Sequence, residues 1–208
     1  MRGVVRSLNV AEVREFPYRG QTVRTGIWKL PTTDRVSVGA EGIEADAVVD
    51  RRVHGGADKA VYAYSAEDYA WWSEELGEEL EPGRFGENLT TEGLDLSAAR
   101  IGERWRVGST LLEVSEPRQP CFKLGYKMGD PRFLKRFARA LRLGTYLRVI
   151  EPGELGAGDP IEVVERPDHD VTAQMLGRAV FGERALAGTI LEAPALGEGW
   201  REWARERA

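Results

Sequence analysis

Apolar and polar residues alternate with a two-residue period through residues 103–117, "ERWRVGSTLLEVSEP". Trp105 and Val107 alternate with arginines before a Gly-Ser pair, and Leu112 and Val114 alternate with polar residues after it. Alternation that is interrupted by turn residues is typical of two antiparallel strands joined by a tight turn. The segment is therefore predicted to form a β-hairpin.

The segment "TYLRVIEPGELGAGDPIEVVER", residues 145–166, has the same form. Leu147 and Val149 alternate before a stretch rich in glycine and proline, and Ile161 and Val163 alternate after it. A second hairpin is the simplest prediction. Because short strands and turns of this kind recur closely along the chain, the pattern favours a β-barrel or a β-sandwich over alternating strands and helices.

Two segments have helical periodicity instead. "SAEDYAWWSEELG" begins with Ser65 followed three residues later by Asp68, a capping pattern, and its helix should end near Gly77. "DPRFLKRFARALRLG" places its two phenylalanines on one stripe and most of its basic residues elsewhere. We expect this second helix to end at Gly144.

The pattern changes after Arg166, where three short stretches have helical character. We therefore predict a mainly β fold with helices, an α+β protein, with two domains. Residues 1–166 would form the β domain, and residues 167–208 would form a small three-helix extension.

Composition narrows the function classes. The chain has 208 residues and a formal net charge of −5, which argues against binding to nucleic-acid polymers. Its single cysteine cannot form an intramolecular disulfide, which is consistent with a reducing cytoplasm. No apolar run has the length of a signal-peptide core or a membrane span. The expectation is a soluble cytoplasmic protein that does not interact with a membrane.

The single cysteine, Cys121, lies in "SEPRQPCFKLG" between Arg118 and Lys123. Neighbouring cations lower the pKa of a thiol, and the thiolate is the form that attacks electrophiles or binds metals. The flanking prolines favour a rigid loop over a continued strand. Inert packing remains the alternative, since cysteine is among the residues most often buried.

Two polar loops contain further candidate residues. "RRVHGGADKAVYAYS" has His54 before paired glycines and Lys59 shortly after them, a combination that suits an anionic ligand. "GRFGENLTTEGL" contains Asn88, whose amide can both donate and accept hydrogen bonds. The alternatives are a hydrogen-bonded histidine with a solvated lysine, and an asparagine that satisfies its own backbone.

Five segments together resemble the MOSC-domain family, named for the C-terminal domain of molybdenum cofactor sulfurase, and most closely its bacterial YiiM-like branch. The resembling segments are "VHGGADKAVYAYSAEDYAWW", "GRFGENLT", "IGERWRVGSTLLEVSEPRQPCFKL", "GTYLRVIEPGELGAGDPIEVVER" and the helical tail. They occur in the family's order and cover nearly the whole chain. The resemblance implies a MOSC-type β-barrel core followed by a three-helix extension.

The resemblance also implies a site. It identifies Cys121 as the residue whose sulfur binds the molybdenum of a molybdenum cofactor (molybdopterin), and hence as both metal ligand and catalytic residue. It places further residues around the pterin, its phosphate or the substrate: His54, Lys59, Gly86, Asn88, Arg118 and Tyr146. Arg148 is also placed near this site, and a structural role is the alternative for both Tyr146 and Arg148.

The activity implied is a two-electron reduction of N-hydroxylated substrates such as 6-hydroxylaminopurine, giving the amine and water. Because no flavin, haem or iron–sulfur motif is present, a separate electron-donating reductase is expected as a partner. One alternative is a carrier of cofactor or sulfur, with a persulfide on Cys121; another is a cysteine hydrolase that uses His54. The tail, with Trp200 and Trp203, could dock on the barrel, mediate a homodimer or contact the reductase.

Overall fold

A computed structural model of the protein describes residues 2–49 and 55–208. Strands in these ranges are β1 (Arg2–Val10), β2 (Arg14–Tyr18), β3 (Gln21–Thr25), β4 (Leu30–Thr32), β5 (Val36–Gly39), β6 (Gly42–Ile43), β7 (Val61–Ser65), β8 (Leu89–Glu92), β9 (Arg104–Val107), β10 (Thr110–Pro117), β11 (Thr145–Glu151), β12 (Gly153–Leu155) and β13 (Pro160–Glu165). Helices are α1 (Ala66–Leu76), α2 (Phe122–Lys127), α3 (Phe133–Ala140), α4 (Ala173–Phe181), α5 (Ala187–Ile190) and α6 (Glu198–Arg205), with short 3₁₀ helices at Ala57–Lys59, Leu96–Ala98 and Arg184–Leu186.

Seven strands close into a barrel in the order β13-β9-β10-β11-β7-β8-β1. The ring closes because the first residues of β1 pair with β13, with Arg2 opposite Glu162. The last residues of β1 pair instead with β4, where Leu8 lies opposite Thr32. Closure leaves the barrel without a long exposed strand edge.

The barrel contains one parallel pair, β7 with β8, where Ala63 lies opposite Leu89. Parallel neighbours need a crossover connection, and α1 supplies it. Ser65 caps this helix by accepting a hydrogen bond from the Asp68 N–H, and Gly77 ends it in the left-handed conformation. The predicted start and end of α1 are both confirmed.

The barrel core is built from the alternating residues of its strands. Its buried side chains include the four residues of the 103–117 pattern: Trp105, Val107, Leu112 and Val114. Buried residues of the tail, among them Leu176 and Ile190, belong to the same cluster. The helix α4 packs against β10, and α5 packs against the other helices of the tail. A second, aromatic cluster fills the space between β7, α1 and α3.

The mainly β fold with helices is confirmed, and so is the first hairpin, in which β9 and β10 pair across Gly108 and Ser109. The second predicted hairpin is wrong. β11 pairs with β10 and β7, whereas β13 pairs with β9 and β1. Two strands joined by a turn-rich segment were predicted to pair locally, but barrel closure gives each of them more distant partners.

The predicted end of the second helix is also wrong. The helix α3 ends at Ala140, and Leu141 takes the left-handed conformation with φ 53°. Gly144, the predicted end, has its own positive φ of 62° just before β11.

Helices occur in the tail as predicted, at α4, α5 and α6. The domain boundary at residue 166 stays a prediction. In the described part of the chain, no helix combines the length and apolar character needed to cross a membrane.

Candidate functional site

A pocket opens at one end of the barrel, where β7 begins and β10 ends, next to the end of β3. Its cavity volume is about 70 Å³, and the cavity is partly open to the solvent. Its described lining includes five of the predicted residues: Lys59, Gly86, Asn88, Arg118 and Tyr146. Side chains that are far apart in the sequence therefore meet around one cavity.

Cys121 lies beside this pocket, in the connection from β10 to α2. Its thiol is half-buried, and the residue occupies the cap position of α2 without making a side-chain capping hydrogen bond. Cys121 is not itself among the lining residues, but Arg118 and Lys123 on either side of it both are. The segment thus brings one thiol and two cations to the edge of the cavity.

Arg118 is a buried cation, with 4% of its surface exposed. Its Nη1 donates to the Phe85 carbonyl at 2.6 Å, and its guanidinium lies 4.8 Å from the Tyr62 ring centroid. Its Nε is buried without a hydrogen-bond partner, and no carboxylate of residues 2–49 or 55–208 forms an ion pair with it. Burial raises the pKa of Tyr62 and Tyr146, so neither phenol is an anion that could balance this charge.

Lys123, in the first turn of α2, is a second cation at the pocket. It is 7% exposed, lines the pocket, and makes no hydrogen bond or ion pair with the described residues. Lys59 lies at another wall and is balanced, since its Nζ is 3.5 Å from Glu116 Oε1. Arg118 and Lys123 therefore place two positive charges, with no carboxylate partner among residues 2–49 and 55–208, at one cavity, which suits the binding of an anion.

Asn88 faces the same cavity, but its amide bonds mainly to the protein. Its Oδ1 accepts from the Tyr62 N–H at 3.1 Å, and its Nδ2 donates to Asp46 at 3.0 Å. Asp46 in turn forms a buried ion pair with Lys29. Asn88 therefore joins β7, β8 and the Asp46 loop, and its predicted contact with a cofactor stays a prediction.

The backbone conformation at position 86 requires glycine. Its φ is +78°, and a Cβ built there would lie 2.8 Å from the Ile27 side chain and 3.5 Å from Arg118 Nη1. Only glycine adopts this conformation readily, and the space that a side chain would need is taken by Ile27. Gly86 therefore lets its loop pack closely against Ile27 at the pocket, and its predicted contact with a cofactor stays a prediction.

Glu87 and Lys127 form a charged layer behind the pocket. Glu87 is fully buried, and its Oε1 accepts from Tyr69 at 2.6 Å, from the Gly83 N–H at 2.6 Å and from Thr90 at 2.8 Å. Lys127 donates to the carbonyls of Ile27 and Gly83. Burial lowers the pKa of Lys127 to about 7, against the opposing attraction of Glu87.

This pKa predicts a pH-dependent stability. The unfolded chain keeps Lys127 protonated up to its ordinary pKa of 10.5, whereas the folded protein releases the proton near 7. Between these values the unfolded state binds more protons, so the free energy of unfolding should rise with pH. From pH 7 to about pH 9.5, the expected gain is about 3 kcal/mol. Urea unfolding at several pH values measures it. The K127M variant should lack this gain, and equal slopes in both proteins would contradict the assignment.

Not every predicted residue is brought to the pocket. Arg148 points away from it, toward Asp58 at 2.8 Å and Glu113 at 2.9 Å, which supports the structural alternative. His54 lies outside the described residues, so its predicted role and the hydrolase alternative stay predictions. Lys29 and Asp46 were missed by the sequence reasoning, since nothing near them in sequence marks a site.

A family model described as "MOSC domain" matches residues 50–162, just over half of the chain. The chain belongs to the MOSC domain family. The match includes all the predicted site residues, whereas Lys29, Asp46 and the tail lie outside it. The MOSC domain family is associated with binding of the molybdenum cofactor.

Comparison with known relatives shows which members of the MOSC domain family this protein resembles. It is 36% identical over 200 residues to "Uncharacterized protein YflK" of Bacillus subtilis, covering 95% of this chain and 90% of that one. It superposes on the crystal structure of YiiM from Geobacillus stearothermophilus with a TM-score of 0.82 and 31% identity, covering 99% and 98% of the two chains. It is also 34% identical over 169 residues to a protein named "Reductase" from Gibberella moniliformis, covering 79% of this chain but only 30% of that one. The chain is a YiiM-like MOSC protein.

Within the described residues, no cluster of three or more histidine, cysteine or acidic side chains could hold a metal ion by itself. The residues do fit a metal that arrives in an anionic organic group. Arg118 and Lys123 present positive charge to the pocket that no carboxylate in the described part of the chain pairs with, and Cys121 offers a soft sulfur ligand beside it.

Proposed function

We propose that this MOSC protein is a molybdenum-cofactor-dependent oxidoreductase that reduces N-hydroxylated substrates such as 6-hydroxylaminopurine. The observation that carries the proposal is the pair of cations Arg118 and Lys123, which have no carboxylate partner among the described residues and lie beside the single cysteine. The family's association with the cofactor supports it, and so does the name of the Gibberella relative.

Each residue would contribute a separate part of the site. Cys121 would supply the thiolate ligand to molybdenum, and Arg118 and Lys123 would bind the phosphate of the pterin, since charge-assisted hydrogen bonds to phosphate are strong. Gly86 would let its loop lie close to Ile27 and Arg118 in the wall of the site. Asn88 and Tyr146 complete the wall, and Lys59 lies at the side where the cavity meets the 55–59 segment.

The overall reaction would be R–NHOH plus two electrons and two protons, giving R–NH₂ and water. When bound, the cofactor supplies the two-electron redox chemistry. The protein would hold the substrate in place and exclude bulk water from the cleaved N–O bond. The electrons would come from a separate reductase.

The test is metal and pterin analysis of the protein made in a host that synthesises the cofactor, followed by turnover of 6-hydroxylaminopurine with reduced methyl viologen as electron donor. Bound molybdenum with turnover supports the proposal. Protein that carries a persulfide on Cys121 but no molybdenum would contradict it and support the sulfur carrier. Bound molybdenum without turnover would leave cofactor delivery as the function.

Replacing Lys123 by methionine should separate binding from stability. Because Lys123 is buried without a partner, the cofactor-free K123M protein should be as stable as the original or more stable, by about 1 kcal/mol or more. Its cofactor content should nevertheless fall several-fold. Thermal unfolding and pterin analysis measure the two effects. The exposed Lys135→Met variant is the control, and a K123M protein with full cofactor content would contradict the role of Lys123.

A further inference from the structure

A second concave surface adjoins the candidate pocket, between the barrel and the tail. We call it the tail groove; its walls are residues 55–59, the segment 116–119 and residues 197–203 of the tail. Lys59 lines both the pocket and the tail groove, so the two cavities meet at this side chain. A molecule lying in the groove could therefore extend one end toward the pocket.

Hydrogen bonds and ion pairs fix the shape of the tail groove. Trp200 Nε1 donates to Glu116 Oε2 at 2.7 Å, and the other oxygen of Glu116 lies 3.5 Å from Lys59 Nζ. On the neighbouring side, Arg148 joins Asp58 at 2.8 Å to the Ala195 carbonyl at 3.1 Å. Because the tail is tied to the barrel at both points, the groove is preformed, which limits the ordering cost of binding.

The lining of the tail groove suits a flat ring. The indoles of Trp200 and Trp203 supply apolar aromatic surface, and glycines leave bare backbone opposite them. A Cβ built at Gly56 or at Gly199 would meet no atom within 4 Å, so both positions face open space. Aromatic walls with a few polar groups are typical of sites for small heteroaromatic ligands.

The polar groups of the groove define the ligand further. Glu116 and Asp58 offer carboxylate acceptors, and the exposed Gln119 amide both donates and accepts. Each carboxylate already has a cationic partner, Arg148 for Asp58 and Lys59 for Glu116, so the lining offers no unpaired positive charge to a phosphate. Amino groups and ring nitrogens of an uncharged heterocycle would pair with this set.

We propose that the tail groove is the subsite that binds the uncharged, planar nitrogen heterocycle of the substrate, so that its N-hydroxyl group reaches the pocket past Lys59. This inference rests on the proposed function in calling the heterocycle part of the substrate. The binding of the ring to the tail groove does not depend on that function. The three-helix tail would then form one wall of the substrate site.

The proposal is tested by placing a larger side chain in the tail groove. Gly199 lies on the exposed side of α6, so the leucine of a Gly199→Leu variant would project into the groove without a clash at its Cβ. Gly188→Leu, on the exposed surface of α5 and outside the groove, is the matched control. Gln119→Leu is a second variant that keeps the backbone unchanged. Unfolding temperatures establish that all three variants fold.

Calorimetry with adenine as the probe measures ring binding in protein purified without cofactor. The original protein and G188L should bind adenine equally, and G199L should bind it about tenfold more weakly or worse. Q119L should lose a smaller part of the affinity. Failure of the original protein to bind adenine, or equal binding by G199L, would overturn the proposal.

A turnover measurement separates this inference from the proposed function. In cofactor-loaded protein, G199L should raise the KM for 6-hydroxylaminopurine but not for hydroxyurea, which is too small to need the groove. Adenine binding that G199L weakens, without turnover of either compound, would sustain the groove and refute the reductase. Turnover of both compounds at unchanged KM in G199L would sustain the reductase and refute the groove.

Discussion

Replacing Cys121 by serine is expected to abolish molybdenum binding and reduction of N-hydroxylated substrates while the fold stays intact. Cys121 occupies the cap position of α2 without making a capping hydrogen bond. Serine is preferred at such positions, so its hydroxyl can accept a backbone N–H and should add up to about 1 kcal/mol of stability. A hydroxyl is a poor substitute for a soft thiolate ligand. Metal analysis, turnover and thermal unfolding measure the three effects.

Alanine at the same position is the control for this variant. C121A also removes the thiol but cannot cap the helix, so it should lose molybdenum equally without the gain in stability. A serine variant that retains bound molybdenum or N–O reduction would show that the sulfur is not the metal ligand.

Glu87→Ala is expected to have the largest effect on stability. The substitution removes the acceptor for three donors and takes away the buried carboxylate that attracts Lys29 and Lys127. Breaking a buried charge network by removing one member costs about 3–5 kcal/mol. Urea unfolding at pH 7 measures the loss.

Two controls show whether charge or hydrogen bonding dominates. Glu87→Gln keeps an acceptor oxygen but removes the charge, so it should lose less stability than alanine and should lower the pKa of Lys127 further. The exposed Glu78, whose carboxylate pairs with Arg84 at 3.4 Å, should tolerate alanine within about 0.5 kcal/mol. An E87A protein within about 1 kcal/mol of the original would contradict the role of Glu87.

Local patterns predicted the elements whose partners are local. The β9–β10 hairpin and the cap of α1 at Ser65 depend on residues only a few positions apart, and both are confirmed. The pairing of β13 with β1 depends on residues about 160 positions apart, which no local pattern encodes. For this reason the fold class was predictable, whereas the strand partners of the 145–166 segment were not.

The same division holds for the candidate site. Arg118 and Lys123 are neighbours of Cys121 in sequence, so their cations could be noticed from the sequence. Lys29 and Asp46 reach the pocket only through the folding of the segment before β7, and they carry no motif. Lys123 and Lys127, spaced i, i+4 on α2, were a usable signal for a cationic helix face next to the thiol.

The pairing of Arg2–Val10 with Pro160–Glu165 has a consequence for biosynthesis. The chain leaves the ribosome from its first strand onward, so one edge of that strand has no partner until the last barrel strand has emerged. Strands of this barrel hold in place the loops that surround the pocket, including the loops that follow Cys121 in the sequence. A ligand that depends on these loops, such as the proposed cofactor, should therefore bind only after residue 165 has been synthesised.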